Sequence, residues 1–210
     1  MSALLHVDNA LALASRVIRS ATQLGAADVA SRVRAARAGV ESDRDRARAS
    51  RAAIATQRDA RNAALAHLSA IFHAGSRALA ALFGAQHAIV LVGGRALSVV
   101  ERARFRLRAL AALDDDTRVT TARVEHVLDA ALAHHDAVVD DYLRAVSVVL
   151  HDEERAILSS QHLRQLLEHA RDELLARAPR GHTEARALRA LTLRTRRPKW
   201  TIEEETRAST

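Results

Sequence analysis

Eleven histidines in a chain of 210 residues are the first groups whose chemistry has to be weighed. His126, His134, His135 and His151 fall close in sequence to Asp129, Asp136, Asp140 and Asp152. A helical bundle can hold a metal with such side chains projecting inward, and its di-iron pattern requires Glu-x-x-His on two helices. Here Glu125, Glu154 and Glu168 are followed three residues on by Leu128, Ile157 and Arg171. His135 lies instead on an apolar stripe, as a core histidine does, while Glu125, Asp129, Asp136 and Asp140 track the opposite, solvated face. The sequence has no cysteine, which removes disulfides, zinc–thiolate sites and thiol nucleophiles. Neither Gly-x-Ser-x-Gly nor a Walker-type phosphate loop occurs, and Gly93-Gly94 stands alone. These residues predict a protein that is not an enzyme, with no catalytic residue, no metal and no cofactor.

One spacing points the other way. Arg61-Asn62-Ala63-Ala64-Leu65-Ala66-His67 and Arg164-Gln165-Leu166-Leu167-Glu168-His169 place a histidine five or six residues after an arginine, with a polar residue following the arginine. The spacing resembles the Arg-x(4–6)-His motif of the HEPN ribonucleases, all-α proteins in which arginine and histidine of paired helices cleave RNA. The resemblance covers these residues alone and implies an RNA substrate for His67 and His169. A chain this rich in arginine and histidine also produces such spacings by chance, and both copies otherwise read as surface arginines with a half-buried histidine.

Arginine supports a second chemistry. Arg102, Arg104, Arg106 and Arg108 alternate with Ala103, Phe105 and Leu107. On a helix they form two pairs four apart, each placed to reach phosphates. With Arg44, Arg46, Arg48, Arg51, Arg58 and Arg61 they would build a basic face for nucleic acid. Asp43, Asp45 and Asp59 interleave with that run, and no base-stacking aromatic set accompanies it. The formal charge of +7 is uneven: residues 1–113 hold 17 basic and 7 acidic side chains, and residues 114–210 hold 15 and 18. Such asymmetry fits an anionic partner or self-association between unlike halves. All but one of the basic residues are arginine, which together with the abundant alanine is also what GC-rich coding produces. The sole tryptophan, Trp200, sits between RTRRPK and TIEEE and is a candidate docking residue for a partner protein.

These groups must be carried by helices. Alanine, leucine and arginine dominate, aromatics are 2% and prolines number two, a helix-former's inventory. Leu4, Val7, Leu11, Ala14, Ile18 and Ala21 share one stripe, Gly25 interrupts it, and Ala26, Val29, Val33, Ala36 and Val40 resume it. Gly39 with Ser42 and Asp45 predicts a turn at 39–42. A long helix follows over 43–83, its first half lean and projecting, its second half apolar at Leu65, Leu68, Phe72, Leu79 and Leu82. A further helix is expected over 95–113 and LDDDT at 113–117 as a turn. Val124, Leu128, Ala131, His135, Val138, Tyr142, Ala145 and Val149 then give the most regular helix, with a break at His151-Asp152. Leu163, Leu167, Ala170 and Leu174 carry the next, and Thr183 caps a short one to about 193. The predicted core includes Leu11, Ile18, Leu68, Phe72, Leu79, Val124, Leu128, Val138, Tyr142, Val149, Leu167 and Leu174.

The fold expected is all-α, an elongated bundle of long antiparallel, coiled-coil-like helices. Its parts are a basic helical region over 1–83, an apolar junction over 84–94, a bundle over 95–193 and a disordered tail over 194–210. The junction belongs to ALAALFGAQHAIVLVGGRALSVV, residues 78–100, a stretch nearly free of charge. Glycines, Gln86, His87 and Arg95 split it into pieces too short to span a bilayer. An apolar hairpin between long helices resembles the layout of α-helical pore-forming toxins of the cytolysin A type, which implies membrane activity. The competing expectation is that AIVLV packs across the bundle end as a short helix or strand. The amino terminus lacks a secretory n-region, so the cytoplasm is the expected location. The expected function is a helical scaffold working by protein–protein contact, with itself or another helical protein as partner. A nucleic-acid binder, an HEPN-like ribonuclease and a membrane-active protein are the alternatives.

Overall fold

A computed structural model describes residues 3–91, 97–179 and 181–191. Among them are five helices and no strand: α1 (Ala3–Gln23), α2 (Ala27–Phe83), α3 (Val99–Ala111), α4 (Asp115–Arg177) and α5 (Thr183–Ala190). The all-α expectation holds, with the long helices α2 and α4 packed against each other. The tail over 194–210, with Trp200, lies outside the described residues.

The amino-terminal stripe forms α1 as read, and the chain reverses over Leu24–Ala26 with Gly25 at φ +70°. The Ala26 amide donates to the Ala21 carbonyl at 2.8 Å, closing the helix end in the left-handed geometry that glycine alone adopts without steric cost. The predicted turn at 39–42 is absent. Gly39 is helical inside the 57-residue α2, because its neighbours all have places in a continuous helix. Val40 is buried, Arg37 pairs with Glu41 one turn on, and the Asp43 side chain is turned into the packing against α4. A glycine in mid-helix costs about 1 kcal/mol relative to alanine, which such packing offsets.

The predicted break at His151-Asp152 is likewise absent from the 63-residue α4. Val149, Asp152 and Ala156 are all buried, so the packed stripe passes straight through the polar pair. At the start of this helix Asp114 accepts from the Thr117 amide at 2.9 Å, and the expected 113–117 turn shrinks to its first residues. Helix α3 starts with a capping box between Ser98 and Glu101. Helix α5 is capped by His182, whose Nδ1 accepts from the Glu184 amide at 3.2 Å, and not by Thr183.

The chain divides into two compact units whose boundaries fall inside α2 and α4: residues 1–47 with 151–210, and residues 48–150. The first unit buries the stripe of α1, then Val29, Val33, Val40 and Ala47 of α2, and Leu163, Leu167 and Leu174 of α4, with Leu188 of α5 packed on them. Each fully buried leucine contributes about 1.5–3 kcal/mol. Arg177 donates to both carboxylate oxygens of Asp28 at 2.9 and 3.0 Å, and Arg32 pairs with Glu173, so α2 and α4 run antiparallel here.

The second unit has two clusters, one around Leu68, Phe72, Ala103 and Leu128, the other around Leu79, Ile89 and Leu110. A side chain at Gly75 would meet Val124 Cγ1 at 3.1 Å, so α2 and α4 approach closely at this point. Ala64 shares the buried stripe with Leu68, whereas Leu65 and Leu82, expected on the apolar stripe, are exposed. Leu11, Leu68, Phe72, Leu79, Leu128, Val149, Leu167 and Leu174 are buried as expected. Ile18, Val124, Val138 and Tyr142 are half-buried, and in α1 it is Val17 that takes the central place.

Candidate functional site

Helix α3 carries the four arginines singled out by their spacing, and the structure separates their fates. Ala103, Arg106 and Leu110 lie along one stripe of the helix, and all three are buried. Arg106 is 1% exposed, so it cannot reach a phosphate in solution, contrary to the expectation for it. Each nitrogen of its guanidinium donates to a partner within the protein. Nε donates to the Ile89 carbonyl at 3.3 Å and Nη2 to the Val90 carbonyl at 2.9 Å, while Nη1 donates to the Phe72 carbonyl at 3.0 Å and Ser76 Oγ at 2.7 Å. The cation also lies 3.9 Å from the Phe72 ring centroid. Burial and the neighbouring Arg102 charge push Arg106 down to about 10, and it remains a cation at neutral pH.

This arginine explains the apolar stretch around residue 89. The described part of AIVLV, residues 88–91, forms neither the short helix nor the strand expected of it; residues 85–91 run in successive turns, with Ile89 buried, while the rest of the junction, residues 92–94, lies outside the described residues. Backbone carbonyls outside a helix or sheet need partners when they are buried, and Arg106 supplies two of them.

The remaining three arginines differ again. Arg102 is half-buried, its guanidinium 5.2 Å from the same Phe72 ring. Arg104 is exposed but donates to Asp136 at 2.8 Å. Burial works against ionisation of Asp136, yet the bonds from Arg104 and His135 hold its carboxyl below the usual range. Arg108 is exposed beside a cleft of about 540 Å³ into which Glu125, His126 and Asp129 also face. A polyanion approaching Arg108 meets two carboxylates there. On α2, Arg44 pairs with Asp45 at 2.8 Å and Asp8 at 3.4 Å, and Arg46 and Arg58 lie 4.0 Å from Asp43 and Asp59. The interleaved carboxylates that the sequence shows thus do neutralise much of the basic run.

The two Arg–His pairs belong to different units, Arg61 and His67 to the second, Arg164 and His169 to the first. The expected arrangement of surface arginine and half-buried histidine is inverted. Arg61 stacks 4.6 Å from the Tyr142 ring centroid, and Arg164 donates to the His6 carbonyl at 3.0 Å, while both histidines are exposed. Among the described residues no three His, Asp or Glu side chains group closely enough to hold a metal ion. His135 is buried on the α4 stripe and bonded to Asp136 at 3.1 Å. No helix of the described residues is long and apolar enough to cross a membrane.

A different surface stands out, one that the spacing of charged residues does not announce. Between Ala47 and Ala64 no residue of α2 is buried, and none of α4 is buried from 136 to 148. Within this stretch Tyr142 of α4 lies under Arg61 of α2, and Val138 and Ala145, on the same stripe as Tyr142, are half-buried. Beside them runs a second apolar row, Val139, Leu143, Val146 and Leu150, spaced four, three and four. Leu143 is 56% exposed and Leu150 63%. The sequence signal for this row is a second apolar phase in DAVVDDYLRAVSVVL, wider than one partner helix can cover. The chain matches no protein-family model, and neither a curated protein nor a solved structure is similar to it at a significant level.

Proposed function

We propose that this protein works as a helical interaction module, by contact with another protein chain and without chemistry of its own. The row on α4, with Leu143 and Leu150 exposed and Val139 and Val146 half-buried, carries this reading, because aliphatic side chains at heptad-like spacing on a helix are what a further helix packs against. The arginines support it by contrast, since Arg106 is buried and the exposed arginines of α3 face carboxylates.

Light scattering of the purified chain, with and without nuclease, tests the reading. The expected result is a mass above the 22.8 kDa of one chain that nuclease leaves unchanged. A mass that falls on nuclease treatment overturns it in favour of a nucleic-acid binder, and so does a monomer that cross-linking in cells joins to no other protein.

A further inference from the structure

We propose that the row Val139, Leu143, Val146 and Leu150 of α4 takes a second copy of this chain, the two α2–α4 pairs closing around a two-fold axis into a four-helix bundle. The inference rests on the reading above and names the partner. A pair of helices cannot cover an apolar face as wide as that of α4 here, and the alanine-rich α2 opposite it offers Ile54 as its one large apolar side chain over residues 48–63. Two such pairs side by side bury what each leaves open, which is how hairpins complete bundles.

Charge decides between a second copy and an unrelated helix. Over residues 48–63 α2 carries four arginines, Arg48, Arg51, Arg58 and Arg61, against Asp59. Over residues 137–150 α4 carries Asp140 and Asp141 against Arg144, Asp136 just before them being paired with Arg104 of α3. In a two-fold bundle of antiparallel pairs each α2 flanks its own α4 and the α4 of the other copy, so a basic helix lies between two acidic ones. The surface is therefore complementary to itself, as an isologous interface has to be. A polyanion or another acidic helix would suit α2 but meet repulsion along α4.

The chain has no cysteine, so single introduced thiols report position without background. In the full chain, Leu143→Cys and Leu150→Cys are expected to give disulfide-linked dimers under mild oxidation, whereas Val119→Cys, at the 81% exposed Val119, is expected to stay monomeric on a denaturing gel. The double variant Leu143→Asp/Leu150→Asp is expected to halve the wild-type mass in light scattering with its circular dichroism unchanged, since these side chains are exposed. Both raised salt and the charge reversal Asp140→Arg/Asp141→Arg should weaken the dimer. A double aspartate variant that keeps the wild-type mass overturns this interface and leaves the interaction reading standing. A wild-type monomer whose Leu150→Cys variant cross-links to a different protein overturns the second copy as partner, and a monomer that links to nothing overturns both.

Discussion

The two units of the molecule bury charge in opposite ways. In the first, Asp43 of α2 is buried against α4, accepting from Ser159 Oγ and ion-paired with Arg155, whose Nε lies 3.0 Å away. In the second, Arg106 is buried with no carboxylate among its partners, its donors taken by carbonyls, a hydroxyl and an aromatic face. The difference follows from the backbone around each. Where two uninterrupted helices pack, carbonyls already bonded within the helix are acceptors only, and a buried carboxylate has to find side-chain donors. Where the chain turns through 85–91 the carbonyls are open, and a guanidinium with five donors fits them better than any lysine could. A buried cation in the second unit is thus a consequence of its irregular connection.

The largest expected effect comes from removing that cation. Arg106→Ala should cost about 3 kcal/mol or more, because it opens a cavity and orphans the carbonyls of Ile89 and Val90 together. Arg106→Met, which restores volume without donors, should recover only part of the loss in urea unfolding followed by circular dichroism. If methionine were as stable as arginine, the carbonyls would not need the cation and the contrast between the units would fail.

Asp43→Ala is expected to be milder, about 2 kcal/mol, since it leaves Ser159 and Arg155 unpaired at a site water can reach. Its signature is partial rescue: adding Arg155→Leu and Ser159→Ala to Asp43→Ala should regain stability, because an apolar replacement of a whole polar cluster is often neutral. No equivalent rescue exists for Arg106, whose partners are mainly backbone. A triple variant no better than Asp43→Ala would remove this distinction.

Acid should produce the smallest effect, in both units alike. Asp28 is held below the usual carboxylate range by its bond to Arg177, and Asp136 by Arg104 and His135 against the opposing effect of burial. A carboxyl depressed in the folded state adds stability that is present above its unfolded value, about pH 4, and lost as pH falls through the folded one. Arg177→Leu and Arg104→Leu should therefore each be less stable than the parent at neutral pH and equal to it in strong acid. A penalty that persists in strong acid would mean that packing of the arginine stems, and not the ion pair, carries the contact.

Much of the fold could be read from residue types. The stripe of α1, the reversal at Gly25 and the regular run from Val124 to Val149 all follow from three-four spacing and one glycine. The misreadings at Gly39 and at His151-Asp152 share one origin. Local signals for a turn are worth about 1 kcal/mol each, less than the packing of a helix that continues through them, and a single sequence gives the first without the second. The site was legible in part. Ala103, Arg106 and Leu110 recur at three and four, a core spacing that the reading of Arg106 as a phosphate contact passed over. The alternation of arginine with apolar residues suggests a charged face, but helix phase, which decides which arginine points inward, is the stronger guide.

By itself the sequence determined that this chain is helical, that its helices are long, and that positive charge concentrates in its first half, because propensity, apolar spacing and residue counts are local quantities. Only the tertiary structure decided that Arg106 is a buried clasp and not a phosphate contact, that Asp43 binds across to α4, and that Leu143 and Leu150 stay uncovered. Each of these depends on what a neighbouring helix or turn offers at that height. Partners for a buried charge, and cover for an apolar face, come from residues distant in the chain.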